Sequence, residues 1–303
     1  MSAQMELILD CYPCMLRQVL AMAKLTGLNE AQTKRSIDHT LEILLLATSG
    51  MSPQHVLIEV IDRIKKDFFP GTGEFDPYGE LKKMSNALVE SRFEELEGMV
   101  RSGASPLETA VKMAAAGNII DFGAMDHAVL DIEEEIRNIP ALKFSRYQFR
   151  PLVAFLSNAR RLLYIGDNAG EIVFDKLLVR QIKRDFPAVV VTFVTRSEPV
   201  INDVTVDDAI SVGFDQEAEI VSSGCRYPGL LLTEADEAFG KLWERADIIL
   251  AKGQGNFEGL SNEDDKRLFF ILRVKCERVA NTIGSAVGDL VLMRQYETED
   301  DDV

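Results

Sequence analysis

Histidine is scarce in this chain. There are three in 303 residues, His39, His55 and His127, and their spacing fits no metal-ligand pattern. That argues against a catalytic triad built on histidine, and the three are expected on helix surfaces or as satisfied core groups. Cysteine is also rare, at four residues, too few for a disulfide scaffold. No apolar run approaches the roughly 20 residues that a membrane-spanning helix needs. Basic residues are outnumbered, 33 Lys and Arg against 49 Asp and Glu, for a formal charge of −16. A nucleic-acid backbone is therefore a poor partner for this surface. The first nine residues carry Glu6 and no basic group, which does not read as a secretory leader. These absences together make a cytoplasmic protein, bound to neither membrane nor nucleic acid, the expectation.

Apolar residues are plentiful, at 47% of the chain, and they fall into two regimes. Up to about residue 120 they recur at helical spacing. Leu16, Val19, Leu20 and Ala23 form one stripe, and Ile37, Leu41, Leu44 and Leu45 form another behind a cap at Asn29. Ser52-Pro53 opens a third helix that stops before Pro70-Gly71. Tyr78–Met99 and Pro106–Ala116 continue the pattern. Beyond residue 150, short runs rich in β-formers alternate with helical segments: 162–165, 189–194, 229–232, 248–251 and 268–272. This alternation predicts a mostly parallel sheet covered on both faces. The expected organisation is a helical part over 1–150 and an α/β part over 151–303, with a solvated acidic tail at 297–302.

Three turns after predicted strands carry the polar chemistry. The first is Gly166-Asp167-Asn168-Ala169-Gly170-Glu171, the second Asn202-Asp203, and the third Lys252-Gly253-Gln254-Gly255-Asn256-Phe257-Glu258. In parallel sheets, ligands collect at the carboxyl ends of strands. Asp167, Asn168 and Asp203 offer oxygen donors suited to a divalent cation such as Mn²⁺, Co²⁺, Ni²⁺ or Mg²⁺. Lys252 offers a point charge for a phosphate dianion, and Gly253 and Gly255 allow close backbone approach. Glu171, in the first turn of its helix, is placed to orient or deprotonate a water. Each residue also has an ordinary reading, as a helix cap, a dipole partner or a flexible turn. It is the conjunction of three such turns that points to a metal and phosphate site. Cys11-Tyr12-Pro13-Cys14, with Cys276, could form a second functional cluster or simply be structural, and Cys225 reads as a small core residue. The glycine-rich turn lacks the G-x-G-x-x-G fingerprint of a nucleotide-binding loop, which leaves a methyltransferase as a low-ranked alternative.

Taken with Asp76-Pro77-Tyr78, Gly117-Asn118-Ile119-Ile120-Asp121, Asn202-Asp203-Val204-Thr205 and Lys275-Cys276, these pieces occur in an order that resembles the metal-dependent damage-control phosphatases, over nearly the whole chain. The cysteine motifs resemble its largely prokaryotic and archaeal branch. The resemblance implies a helical N-terminal subdomain joined to a three-layer α/β/α Rossmann-like domain. It implies that Asp167, Asn168 and Asp203 hold the catalytic metal, that Lys252 holds the phosphate, and that Glu171 belongs to the site. Asn118 and Asp121 would reach the substrate from the helical part. The expected activity is hydrolysis of a small phosphorylated metabolite. A phosphometabolite-binding protein without turnover is the alternative.

Overall fold

In the computed structural model, the residues described are 5–47, 51–71, 73, 75–117, 136 and 138–296. The chain begins with helices α1 (Cys11–Leu25), α2 (Glu30–Leu46) and α3 (Pro53–Phe68). The expected caps are in place. Asn29 accepts the Gln32 N–H, and Gln32 returns a bond to the Asn29 N–H. Ser52 accepts the His55 N–H ahead of Pro53. These helices enclose a small core of their own, around Val19, Leu44, Val56 and Ile64.

The next three helices are α4 (Gly79–Glu90), α5 (Phe93–Ser102) and α6 (Pro106–Gly117). The periodic run from Tyr78 to Met99 breaks at Ser91-Arg92, where the chain turns. Val89, Leu96 and Ala114 share a core with the sheet residues Leu162, Tyr164 and Phe193. These helices therefore pack as part of the α/β layer.

The remaining elements are β1 (Phe144–Tyr147), α7 (Phe149–Asn158), β2 (Arg161–Ile165), α8 (Glu171–Asp185), β3 (Val190–Thr195), α9 (Val206–Ser211) and β4 (Glu219–Ser222). They are followed by α10 (Glu237–Arg245), β5 (Ile248–Lys252), α11 (Gly253–Leu260), β6 (Leu268–Arg273), α12 (Glu277–Ile283) and β7 (Leu290–Arg294). The strands form one seven-stranded sheet in the order β1-β7-β6-β5-β2-β3-β4. Neighbours from β6 through β4 are parallel, while β7 runs antiparallel to β6 and parallel to β1. The fold is α/β with a mostly parallel sheet. One sheet face packs on α4 to α8, and the other on α10 to α12 through Phe239, Phe257 and Val279. Each large apolar side chain so buried contributes about 1.5–3 kcal/mol.

Two differences from the sequence pattern have physical reasons. The sheet begins before residue 151, because β1 pairs with β7 at Phe144↔Leu290 and Tyr147↔Leu292. Residues 229–232 form no strand. The Gly229 N–H donates to Asp203 and the Leu230 N–H to Asn256, so these donors go to side chains instead of a ladder.

The order of the strands positions the site. From β2 the chain moves outward through β3 and β4, then returns to place β5 on the other side of β2. The crevice at this reversal lies between the loops that follow β2 and β5.

A buried lysine ties the helical half to this edge. The Lys82 ammonium of α4 lies 2.8 Å from both Asp76 and Asp208. Asp208 also accepts from the N–H and hydroxyl of Thr205, two residues past Asp203. Burial works against the Lys82 charge, but Asp208 and Asp76 outweigh it and raise the pKa. Lys82→Met should leave two carboxylates without their cation and cost about 1–3 kcal/mol in urea unfolding at pH 7. Because the folded pKa is raised, the contribution is fully present below the unfolded value, about 10.4, and is lost as pH rises through the folded one. The gap between variant and wild type should therefore narrow above that pH, and a gap that stays constant would contradict the assignment.

Candidate active site at the sheet reversal

The loops after β2 and β3 are joined by backbone. The Val204 N–H donates to the Asp167 carbonyl at 2.9 Å, and the Ala169 N–H to the Asn202 carbonyl at 3.0 Å. Asn168 and Asp203 thus face each other as a bridged pair. Ile201, just before them, holds φ at +41°, a left-handed conformation that costs a β-branched residue energy. Its side chain packs against the α1–α3 core while the next residue bonds to Ala169, and these two anchors maintain the strain.

Asp167, Asn168, Glu171 and Asp203 are all buried. The Asn168 amide donates to the Asp167 carboxylate at 3.0 Å and to the Glu171 carboxylate at 2.9 Å, setting the two acids around one side chain. The loop after β5 closes the crevice. Gly253 sits at φ +80°, and a Cβ there would fall 1.8 Å from the Asp167 carboxylate. Only glycine fits. Lys252 is buried, with its ammonium 2.6 Å from Asp175 and 3.7 Å from Glu171. The Tyr164 hydroxyl donates to the same Asp175 oxygen at 2.7 Å. The structure therefore brings together Asp167, Asn168, Glu171, Asp203, Lys252 and Gly253. Gly255 packs with its carbonyl against the Gly229 backbone, and the Gly229 N–H donates to Asp203. Asn118 and Asp121 lie outside the described residues, although α6 ends at Gly117 directly against Glu171 and Phe174.

Several site residues were not singled out from sequence. Arg196, 1% exposed, donates to Asp203 at 2.9 Å, to the Gly166 carbonyl and to Asn256 at 2.6 Å. Asn256 also donates to the Gly166 and Lys252 carbonyls. These two side chains fasten the three loops together. Asn86 of α4 accepts the Gly170 N–H at 2.6 Å, the start of α8. For Asp175 a signal existed: it lies four residues after Glu171 on a helix face that is otherwise apolar. Arg196, at the end of β3, had none.

Electrostatics single out this edge. Among the described residues, the buried groups here are four carboxylates, Asp167, Glu171, Asp175 and Asp203, against two cations, Arg196 and Lys252, a deficit of two positive charges. Burial raises the Asp167 pKa well above the usual carboxylate range, with Glu171 and Asp203 adding to it. Burial likewise raises Glu171, Asp175 and Asp203, against the opposing pull of Lys252 or Arg196. For Lys252 burial opposes the charge, yet Asp175 and Glu171 prevail and raise its pKa. Protons or a divalent cation can make up the deficit. Among the described residues, no three His, Cys, Asp or Glu side chains close on one point. An ion here would need the Asn168 amide oxygen and water beside its carboxylates, a donor set that suits a hard cation with open positions.

The sequence profile of the damage-control phosphatase ARMT1-like domain matches residues 7–291. The chain belongs to this family. It is 33% identical over 285 residues to a damage-control phosphatase of Archaeoglobus fulgidus, covering 93% of this chain and 96% of that one. It is 35% identical over 222 residues to the damage-control phosphatase PH1575 of Pyrococcus horikoshii, covering 73% and 76%. A crystal structure of that DUF89 family protein superposes with a TM-score of 0.86 at 30% identity, covering 96% of this chain and 100% of the other.

Of the cysteines, Cys276 meets the loop after β5, its sulfur 3.4 Å from the Gln254 amide. Cys11 and Cys14 occupy the first turn of α1, Cys276 caps α12, and all are free thiols. Burial pushes the Cys11 and Cys14 thiols up, and Glu258 of α11 adds to both. Protonated thiols are poor nucleophiles. Cys225 is a buried core residue, as its isolation suggested. Of the histidines, His55 bonds to Ser52 and His39 sits 3.2 Å from Asp67, while His127 lies outside the described residues.

The glycines provide a test. Gly253→Ala should displace the Asp167 carboxylate and cost about 1–3 kcal/mol. At Gly255 a Cβ would meet nothing nearer than 3.4 Å, so Gly255→Ala should cost less than about 1 kcal/mol. Equal unfolding midpoints for the two variants would contradict the packing of Gly253 on Asp167.

Proposed function

We propose that this protein is a metal-dependent phosphomonoesterase acting on small phosphorylated metabolites. The observation that carries the reading is the deficit of two positive charges around Asp167 and Asp203, at the sheet edge where the loops after β2, β3 and β5 meet. Membership of the damage-control phosphatase family supports it.

Asp167, Asn168 and Asp203 would hold the divalent ion. When bound, it would supply electrophilic pull on a phosphoryl oxygen and a more acidic water. The chain's own groups do the rest. Glu171 is fixed by the Asn168 amide, and its raised pKa suits it to take a proton from an attacking water. Lys252 places positive charge behind Glu171 and Asp167, and Asp175 and Tyr164 keep it there. Arg196 donates to Asp203 and fixes its orientation, opposing the burial that raises its pKa. Asn118 and Asp121 are proposed to meet the substrate.

With Mn²⁺, Co²⁺, Ni²⁺ or Mg²⁺, the protein should release phosphate from small phosphate esters. Asp167→Asn, which preserves side-chain shape, should reduce that activity by at least about a hundredfold while circular dichroism stays native. Wild-type turnover in Asp167→Asn would overturn the site. Ligand-induced thermal shifts without release under any of the four metals would favour a binding protein instead. The missing G-x-G-x-x-G fingerprint keeps the methyltransferase reading ranked below the phosphatase one.

A further inference from the structure

We propose that the outer face of the α1–α2 hairpin takes a second copy of this chain, each copy seating Leu45 in a groove on the other. The inference stands apart from the phosphatase reading, since none of the residues it uses belongs to the candidate active site. α2 carries both halves of the contact. Ser36, Thr40 and Leu44 face inward and are buried. Glu30, Lys34, Ile37, Leu41 and Leu45 recur every three or four residues on the other side, along one stripe. At the N-terminal end of that stripe, α1 and α2 enclose a groove of about 470 Å³, lined by Leu20, Ala23, Leu28, Thr33, Lys34 and Ile37. At its C-terminal end, Leu45 and Leu46 are each 80% exposed. Exposed apolar surface rimmed by charge marks a contact face.

Shape and charge both select a second copy as the occupant. A twofold axis across the middle of α2 sets the helix antiparallel to its copy, so the leucine end of each meets the groove end of the other. Leu45 lies twelve residues beyond Thr33, about 18 Å along the helix. With the axis at His39, halfway between them, each Leu45 enters the other copy's groove, and Leu41 lies over Ile37 of the second copy. Arg35 and Glu42 share one flank of α2, being seven residues apart. The same axis brings Glu42 of each copy beside Arg35 of the other. Arg35 lies 3.4 Å from Asp67 and keeps a side chain 58% exposed. Residues 11–46 hold Arg17, Lys24, Lys34 and Arg35 against Glu30, Asp38 and Glu42, a net of +1 in a chain of −16. A twofold contact here sets a non-acidic part of each copy against the other, whereas an anionic lipid surface would repel the chain as a whole.

Sedimentation velocity tests this on wild type, Leu45→Glu, Arg35→Glu, Glu42→Arg and the double charge swap, at up to about 100 μM protein. Wild type should reach twice the 33.8 kDa of one chain. Leu45→Glu should raise the dimer Kd by at least about a hundredfold, with circular dichroism native because Leu45 is exposed. Arg35→Glu and Glu42→Arg should each weaken the dimer by about tenfold, and the double swap should restore it. Wild type that stays at one chain's mass at every concentration would overturn the proposal, and if that monomer sediments with anionic vesicles, the face belongs to lipid. A Leu45→Glu dimer as tight as wild type would overturn it as well, by placing the contact elsewhere. A double swap no tighter than either single would overturn the antiparallel pairing of α2.

Discussion

Burying more negative than positive charge is the constraint around which this protein is organised. Four carboxylates lie out of water at one sheet edge. Each would be costly alone, since an unpaired buried charge is penalised heavily. The surrounding architecture meets that cost by geometry. Arg196 spans three loops to reach Asp203, Lys252 is drawn wholly under the sheet edge to reach Asp175, and one asparagine amide serves two acids. What these contacts leave uncompensated is a charge of the sign and size that a divalent cation cancels. The carboxylate oxygens at this edge are fixed by neutral and cationic neighbours.

The helical half belongs to the same device. α6 runs into the first turn of α8, Asn86 of α4 binds the Gly170 N–H, and Lys82 connects α4 to the segment just after Asp203. Apolar packing is continuous from α4–α6 into the sheet, whereas α1–α3 keep a core apart. The helices that touch this edge are thus those whose apolar core is continuous with the sheet.

Much of this was legible in the sequence because local signals and tertiary demands coincide. The turn 166–171 follows an apolar strand and opens an apolar-periodic helix, and 252–258 does the same after β5, so their meeting followed from a parallel sheet. The caps at Asn29 and Ser52 were readable because capping is local chemistry. Residues 229–232 misled, since apolar residues flanked by glycine look like a strand, while the actual demand was for backbone donors to Asp203 and Asn256. β4 was missed because Glu219-Ile220-Val221-Ser222 is a short, half-exposed edge strand. Arg196 was illegible for a deeper reason. Nothing near it in sequence announces that an arginine will be buried, and its partners lie 7, 30 and 60 positions away.

The sheet's far edge has a consequence for how the chain assembles. β1, at residues 144–147, hydrogen-bonds to β7, at 290–294, and β7 in turn lies between β1 and β6. During synthesis on the ribosome, β1 emerges almost half a chain before its partner exists, while β2, β3 and β4 pair with one another as they appear. The last strand made is inserted between an early strand and a late one. Closure of that edge, with Gln148 bonding to Leu292 and Arg294, is the step that joins the front of the molecule to its back. Such a long-range pairing carries a loop-closure cost that local contacts avoid, and the sheet bears it at the edge opposite β4, away from the crevice between β2 and β5.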